Sequence, residues 1–257
     1  MAVDLKLEGK TALISGASGG IGRETAKTLA REGVTAIVVA RRPAELEELA
    51  DEVASAGHPR PVPIVDDLLD DAAFGRVTDQ VMDRFGGVDI VVNNLGQARP
   101  FDLDTSEAEW DEAFDLNFKT PRRLTSPFIP GMRQRGFGRV ICLTATSEPS
   151  HVSGSLTSKA AVLIWAKGLS RMIAKDGVTV NCISPGYLLT AQIRNNFIPQ
   201  FVPTEQDQQE WLDREIPAGR FGDPADAANI ITYLCSPLAG YITGQRVYVD
   251  GGWNRHV

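Results

Sequence analysis

The stretch Ser15-Gly16-Ala17-Ser18-Gly19-Gly20-Ile21-Gly22 constrains this chain more than any other. A short apolar run, Thr11-Ala12-Leu13-Ile14, leads into it, and a helical pattern from Arg23 to Ala30 leads out. Strand, glycine-rich turn and helix, in that order, let a backbone approach a diphosphate. Small residues remove the Cβ barrier, and the first helical N–H groups face the anion. Gly16, Gly20 and Gly22 are spaced GxxxGxG, unlike the GxGxxG of the commonest dinucleotide fingerprint. An ordinary tight turn seating a helix on a sheet would share the composition; the flanking strand and helix favour nucleotide binding.

The same alternation continues along the chain. Apolar, β-rich runs at 11–15, 35–40, 61–65, 88–93, 138–144, 178–183 and 245–249 are separated by helical patterns. That is the mark of a parallel sheet with helices on both faces. No linker or internal repeat interrupts it, so 1–257 reads as one domain, a length that a single α/β unit accommodates. The net charge of −7, with no basic run, argues against nucleic acid as a partner. No run is long enough to span a membrane, and no charged-then-apolar leader opens the sequence, so a cytoplasmic location is expected. Cys142, Cys182 and Cys235 lie far apart, which reads as reduced and buried, and the three scattered histidines suggest no metal site.

The ends of the strand candidates hold the remaining polar signals. The second ends in Arg41-Arg42-Pro43, where an NAD site usually places an acid for the ribose 2′-OH. Guanidinium groups pair well with a 2′-phosphate, so NADP(H) is favoured over NAD(H). Solvated arginines ahead of a helix would look the same. The third ends in Asp66-Asp67-Leu68, where a carboxylate can accept from an adenine amino group or cap a helix. The fourth ends in Asn93-Asn94-Leu95-Gly96, suited to a backbone passing close to a ligand or to a simple turn. Ser106 and Glu109 form a capping box opening a long helix, which carries Asn117 and, four residues on, Pro121. Proline has no N–H for the Asn117 carbonyl, so the pattern predicts a kink, or a helix that ends and restarts. A freed Asn117 carbonyl could hold an ordered water.

Taken in order, the glycine turn, Asn93-Asn94-Leu95-Gly96, Asn117, Lys159, Ser184-Pro185-Gly186 and Asp250-Gly251-Gly252 resemble the short-chain dehydrogenases/reductases, in particular the 3-oxoacyl-carrier-protein reductase-like members, from end to end. Pro217 to Gly222 and Tyr241 to Gln245 are similar to that group too. The resemblance implies a Rossmann-type doubly wound domain with a seven-stranded parallel sheet and a nicotinamide cofactor across the strand ends. It places Gly16, Ser18 and Ile21 at the diphosphate and its ribose, Asp67 and Leu68 at the adenine, and Asn93 beside the nicotinamide-side ribose. Leu188 and Thr190 would hold the carboxamide, Lys159 the ribose, and segment 189–216 would be a substrate lid. A homotetramer or homodimer acting on a small carbonyl or alcohol is implied.

The family's chemistry rests on Asn, Ser, Tyr and Lys, and here only Asn117 and Lys159 keep their places. Four residues before Lys159 stands Ser155, and the serine position aligns with Ala145, beside Thr144, Thr146 and Ser147 in a shortened 145–154 loop. Leu95 also stands where the family more often has alanine. A serine hydroxyl is no proton donor near neutral pH, and loss of general acid catalysis costs about 10²–10⁴-fold. Three readings follow. A working reductase would use a substitute acid: a water among Ser155, Lys159 and Asn117, or His151, one helical turn before Ser155 unless it is an exposed loop histidine, or Tyr187. A sensor or partner subunit would bind NADP(H) without turnover. A lyase or hydrolase would use Ser155 and Lys159 as nucleophile and base, although no GxSxG elbow supports that. Phe197, Phe201 and Trp211 are spaced apolar residues of the lid and Arg194 could meet an anionic group; packing of the lid onto the body is the commoner use of such residues.

Overall fold

Seven short runs dominated by alanine and β-branched residues build one all-parallel sheet in the order β3-β2-β1-β4-β5-β6-β7. The strands are β1 Thr11–Ser15, β2 Thr35–Ala40, β3 Val62–Val65, β4 Ile90–Asn93, β5 Gly138–Leu143, β6 Val178–Pro185 and β7 Arg246–Val249. The computed structural model describes residues 3–98, 101–146, 148–149 and 151–255. All seven strand expectations are met within two residues at either end. The largest differences are at β4, which starts only at Ile90, and at β6, which runs on to Pro185 because β7 pairs beside it, Ser184 opposite Tyr248 and Pro185 opposite Val249.

Side chains alternate between two apolar layers, as the strand period requires. On one face Ala12, Ile14, Val38 and Val92 pack against α1 (Gly20–Arg31), α2 (Pro43–Ser55) and α10 (Pro224–Cys235). On the other, Leu13, Ile37, Val39 and Val91 pack against α3 (Ala73–Phe85), α5 (Thr120–Thr125) and α7 (Gly154–Ile173). Both faces of the sheet are covered, so the strands read as continuous apolar runs. Strand order reverses between β1 and β4, and the crevice beyond the carboxyl ends of such a pair is where open α/β sheets take ligands.

The long helix predicted after Ser106 is segmented. The Ser106–Glu109 capping box opens α4 (Glu107–Phe114), with Glu109 N donating to Ser106 Oγ. The chain then widens into a π turn over Asp115–Lys119, closed by Thr120 N donating to Asp115 O. It continues as α5, a 3-10 turn at Ser126–Phe128 and α6 (Ile129–Arg135). Pro121, Pro127 and Pro130 each sit in the first turn of their segment, where a missing N–H costs little. Neither a sharp kink nor a clean stop is found: the extra residue of the π turn absorbs the proline. Asp67 is not a helix cap, because α3 begins only at Ala73; its carboxylate accepts from Leu69 N instead.

Candidate active site

The crevice at the β1–β4 switch is a cleft of about 500 Å³. Its floor is the glycine turn. Gly16 leaves β1 at φ 68°, and α1 starts behind Gly19 with no side-chain cap, so its first N–H groups are left for a ligand. Asn94 laces the turn to the end of β4, donating from Nδ2 to the carbonyls of Ser15 (3.1 Å) and Gly16 (3.0 Å). Ser15 Oγ returns the tie by accepting from the backbone N–H of Asn94 and Leu95. A Cβ at Gly22 would lie 2.4 Å from Asn94 Nδ2, and one at Gly20 would lie 3.2 Å from Thr190 Cγ2. Both glycines are therefore fixed by contact, and Gly22 acts beneath the cleft rather than in its lining.

Of the two arginines after β2, the structure brings Arg42 to the cleft. Its Nη2 donates to Ser18 Oγ at 2.9 Å, and Glu45 holds Nη1 at 2.9 Å. Arg41 is exposed and faces Asp67 at 3.7 Å. Asp66, not Asp67, takes the fixed role at the end of β3. Arg76 grips both its oxygens, at 2.6 and 2.9 Å, and holds its carboxyl below the usual range. Leu68 is buried in the core. Asn93 is also buried and turns its side chain away from the cleft: Nδ2 donates to Thr125 Oγ1 at 2.8 Å.

The polar end is built from α7 and the π turn. Ser153 caps α7, its Oγ accepting from Leu156 N and lying 3.0 Å from Ser155 Oγ. Ser155 and Lys159, one turn apart on α7, both line the cleft. Opposite them the π turn presents Asn117, whose Nδ2 donates to Ala113 O and whose Oδ1 accepts from Gln97 N. Gly96 passes between the two elements. A Cβ there would lie 3.0 Å from Asn117 Oδ1 and 3.0 Å from Lys159 Nζ, so the two polar atoms flank one point. Desolvation pulls the Lys159 ammonium down to about 8.

Around the serine position, the neighbouring hydroxyls are committed elsewhere. Thr144 Oγ1 donates to Ile183 O at 3.0 Å and meets Ser184 Oγ at 2.8 Å. Arg246, reaching over from β7, donates to Ser184 Oγ and to the Ala145 carbonyl. Thr146 Oγ1 donates to Asn254 Oδ1 at 2.6 Å. Ser147 lies outside the described residues. His151 is exposed and sits ahead of α7, not within its first turn.

The far end is aromatic. Tyr187 packs on Phe197 and Trp211, each 4.6 Å away, and on Trp253 at 4.8 Å. Burial raises its phenol above the usual range. Segment 189–216 folds as a π turn at Ile193–Phe197, α8 (Ile198–Phe201) and α9 (Glu205–Glu215). Phe201 remains largely exposed, and Arg194 is tied to the Leu189 carbonyl.

Gly16, Ser18, Gly20, Ile21, Arg42, Ser155, Lys159, Leu188 and Thr190 thus meet in one lining; Arg41, Asp67, Leu68, Asn93 and Asn117 stand outside it. The sequence marked Asn94 and Gly96 only as part of a strand end passing close to a ligand, without giving either a role. Trp253 was missed, although the Asp250-Gly251-Gly252 motif stands directly before it. Among the described residues no group of three metal-ligating side chains gathers, and no helix is long and apolar enough to cross a membrane.

Comparison with known proteins agrees with this geometry. Residues 16–254 match the family model described as enoyl-(acyl carrier protein) reductase. The chain is 32% identical over 252 residues to the 3-oxoacyl-[acyl-carrier-protein] reductase FabG of Vibrio cholerae, covering 96% of this chain and 98% of that protein. It is 35% identical over 259 residues to oxidoreductase UcpA of Escherichia coli K12, covering 96% and 95%. Among solved structures, L-sorbose reductase of Gluconobacter frateurii, complexed with NADPH and L-sorbose, superimposes with a TM-score of 0.92 at 30% identity, covering 99% of this chain and all of that one.

Proposed function

The chain belongs to the short-chain dehydrogenase/reductase family, and from that premise we propose an NADP(H)-dependent oxidoreductase that interconverts a carbonyl and its alcohol without a tyrosine acid. The observation that carries the reading is the convergence of Lys159 and Asn117 on Gly96, beside the glycine cradle. The cradle suits a dinucleotide: a Cβ at Gly20 would intrude on it, one at Gly22 would break the turn beneath it, and the N-terminus of α1 is uncapped. Arg42 and Ser18 are already paired at its rim, where a 2′-phosphate would take charge-assisted hydrogen bonds; NAD(H) would leave that guanidinium without such a partner. When bound, the nicotinamide supplies or accepts the hydride.

The chain's own task is the proton. Ser155 lines the cleft where the alkoxide forms, but its hydroxyl is too weak an acid to give up a proton unaided. Lys159 lies on the same face of α7, and its ammonium releases a proton near neutrality. Lys159 therefore holds the proton, and a water among Ser155, Lys159 and Asn117 passes it on, giving one proton to the alkoxide and taking one from the ammonium. Asn117 fixes the loop beside them through Gln97 N. Reduction needs the protonated amine, so its rate falls as pH rises through about 8; alcohol oxidation needs the neutral amine and rises there.

The test is nicotinamide absorbance with a carbonyl panel that includes an acyl thioester and a ketose. Turnover that falls about 10²–10⁴-fold in Lys159→Ala supports the reading. Turnover unchanged in that variant contradicts it. A second reading has its own support: Ala145 offers no hydroxyl, and those of Thr144 and Thr146 are engaged elsewhere. It is a protein that binds NADP(H) without turnover, and it is favoured if binding is tight, no carbonyl reacts and Ser155→Tyr restores nothing. A homotetramer or homodimer remains our expectation. Exposed Ile164 and Met172 on α7 agree with a covered face, and a monomer in sedimentation would refute it.

A further inference from the structure

The segment after β7 is anchored at both ends of the cleft's mouth. Asp250 Oδ2 accepts from Asn254 N at 3.0 Å and from Asn254 Nδ2 at 2.6 Å. With its N–H groups so held, Asn254 turns Oδ1 toward the Thr146 hydroxyl, in the loop after β5. Next along, Arg255 N donates to Glu148 Oε1 at 2.9 Å, and its guanidinium meets Glu215, at the end of α9, at 3.3 Å. One short segment therefore ties the β5 loop to the proposed lid. Between these anchors Trp253 lines the cleft, with its ring 4.8 Å from that of Tyr187 and 78° from its plane.

Two aromatic planes set nearly at right angles make a corner, and Tyr187 cannot swing out of it because Phe197 and Trp211 back it. A corner of this kind receives a ring better than a chain, since a ring meets one plane with its face and the other with its edge. Amide groups of Gln97 and Gln192 also line the cleft and serve a polar edge.

We propose that Trp253 is the specificity-determining residue of the substrate end, and that the corner it forms with Tyr187 selects ring-bearing carbonyl compounds. The proposal rests on the oxidoreductase reading for its substrate, but its test does not need turnover. Saturation-transfer NMR on the NADP⁺-loaded protein reports binding of 2-hexanone, cyclohexanone and acetophenone, none of which can be reduced by the oxidised cofactor. The wild type should favour the two ring ketones over the open-chain 2-hexanone by roughly tenfold. Trp253→Ala should level the three, and Trp253→Phe should restore part of the preference. Thr146→Val, which removes the tie from Asn254 to the β5 loop and leaves Asn254 held by Asp250 alone, should weaken the preference and serves if the alanine variant does not fold. Equal binding of all three by the wild type, no ketone binding at all, or a preference that survives both Trp253→Ala and Thr146→Val would overturn the proposal. Preferential binding with no NADPH-dependent turnover of any carbonyl would instead sink the oxidoreductase reading and leave this one standing.

Discussion

The chemistry of this protein turns on single groups whose surroundings decide what they can do. Lys159 lies well below an ordinary lysine because burial disfavours its charge. Its folded pKa of about 8 is below the unfolded value of 10.5, so the unfolded chain binds more protons between those values. Stability should therefore rise with pH across that window, and Lys159→Met should flatten the rise in chemical denaturation run from pH 7 to 10. A slope equal to wild type would show the lysine to be solvated. Arg42 is the second such group. Removing a charge-assisted pair costs about 1.5–3 kcal/mol, so Arg42→Ala should weaken NADPH roughly 10- to 100-fold and NADH little. The same change in Arg41 should do much less, because that side chain lies off the cleft beside Asp67. At this scale the sequence was partly legible. Lys159, Ser155 and the arginine pair could be read directly, but which arginine faces the cleft depends on Ser18, 24 residues away. That Thr144 is spoken for by Ser184 depends on the pairing of β5 with β6.

Elements set these groups in place, and they were the most legible part of the chain. Seven strands showed as apolar runs because both sheet faces are covered, and the Ser106–Glu109 box marked the start of α4 by its side chains alone. The π turn was not legible: Asn117 and Pro121 announce a missing hydrogen bond, yet the choice among kink, stop and widened turn is made by what packs around it. Two close approaches at element junctions give sharp expectations. Gly22→Ala drives a Cβ into Asn94 Nδ2 at 2.4 Å and should break the lacing of the glycine turn, costing about 1–3 kcal/mol and most of the NADPH affinity. Gly96→Ala places its methyl group 3.0 Å from both Asn117 Oδ1 and Lys159 Nζ. It should lower turnover while leaving NADPH affinity near wild type, as read by separating kcat from the cofactor dissociation constant. Equal loss of both would mean that Gly96 serves the cradle rather than the proton path.

At the scale of the whole molecule, one sheet with two covered faces positions everything. The order β3-β2-β1-β4-β5-β6-β7 puts the reversal between β1 and β4, and the carboxyl ends of those strands carry the glycine turn and the Asn94–Gly96 segment. The polar groups on α7 and the π turn are brought to the same crevice from the other side of the sheet. On the proposed reading, cofactor bound across this span would tie parts of the chain far apart in sequence. NADPH at a hundred times its dissociation constant should therefore stabilise the fold by about 2.7 kcal/mol and raise the melting temperature by several degrees. The segment holding Trp253 closes the mouth of the cleft through contacts with residues more than 100 positions earlier, and no local pattern could have announced those contacts.

The measurement that bears most directly on the account is a fluorescence titration of the protein with NADPH and, in parallel, NADH, repeated on Arg42→Ala. Saturable binding that is tighter for NADPH, and that loses this preference in the variant, is the expected result. Binding of neither nucleotide, or tighter binding of NADH, would contradict it.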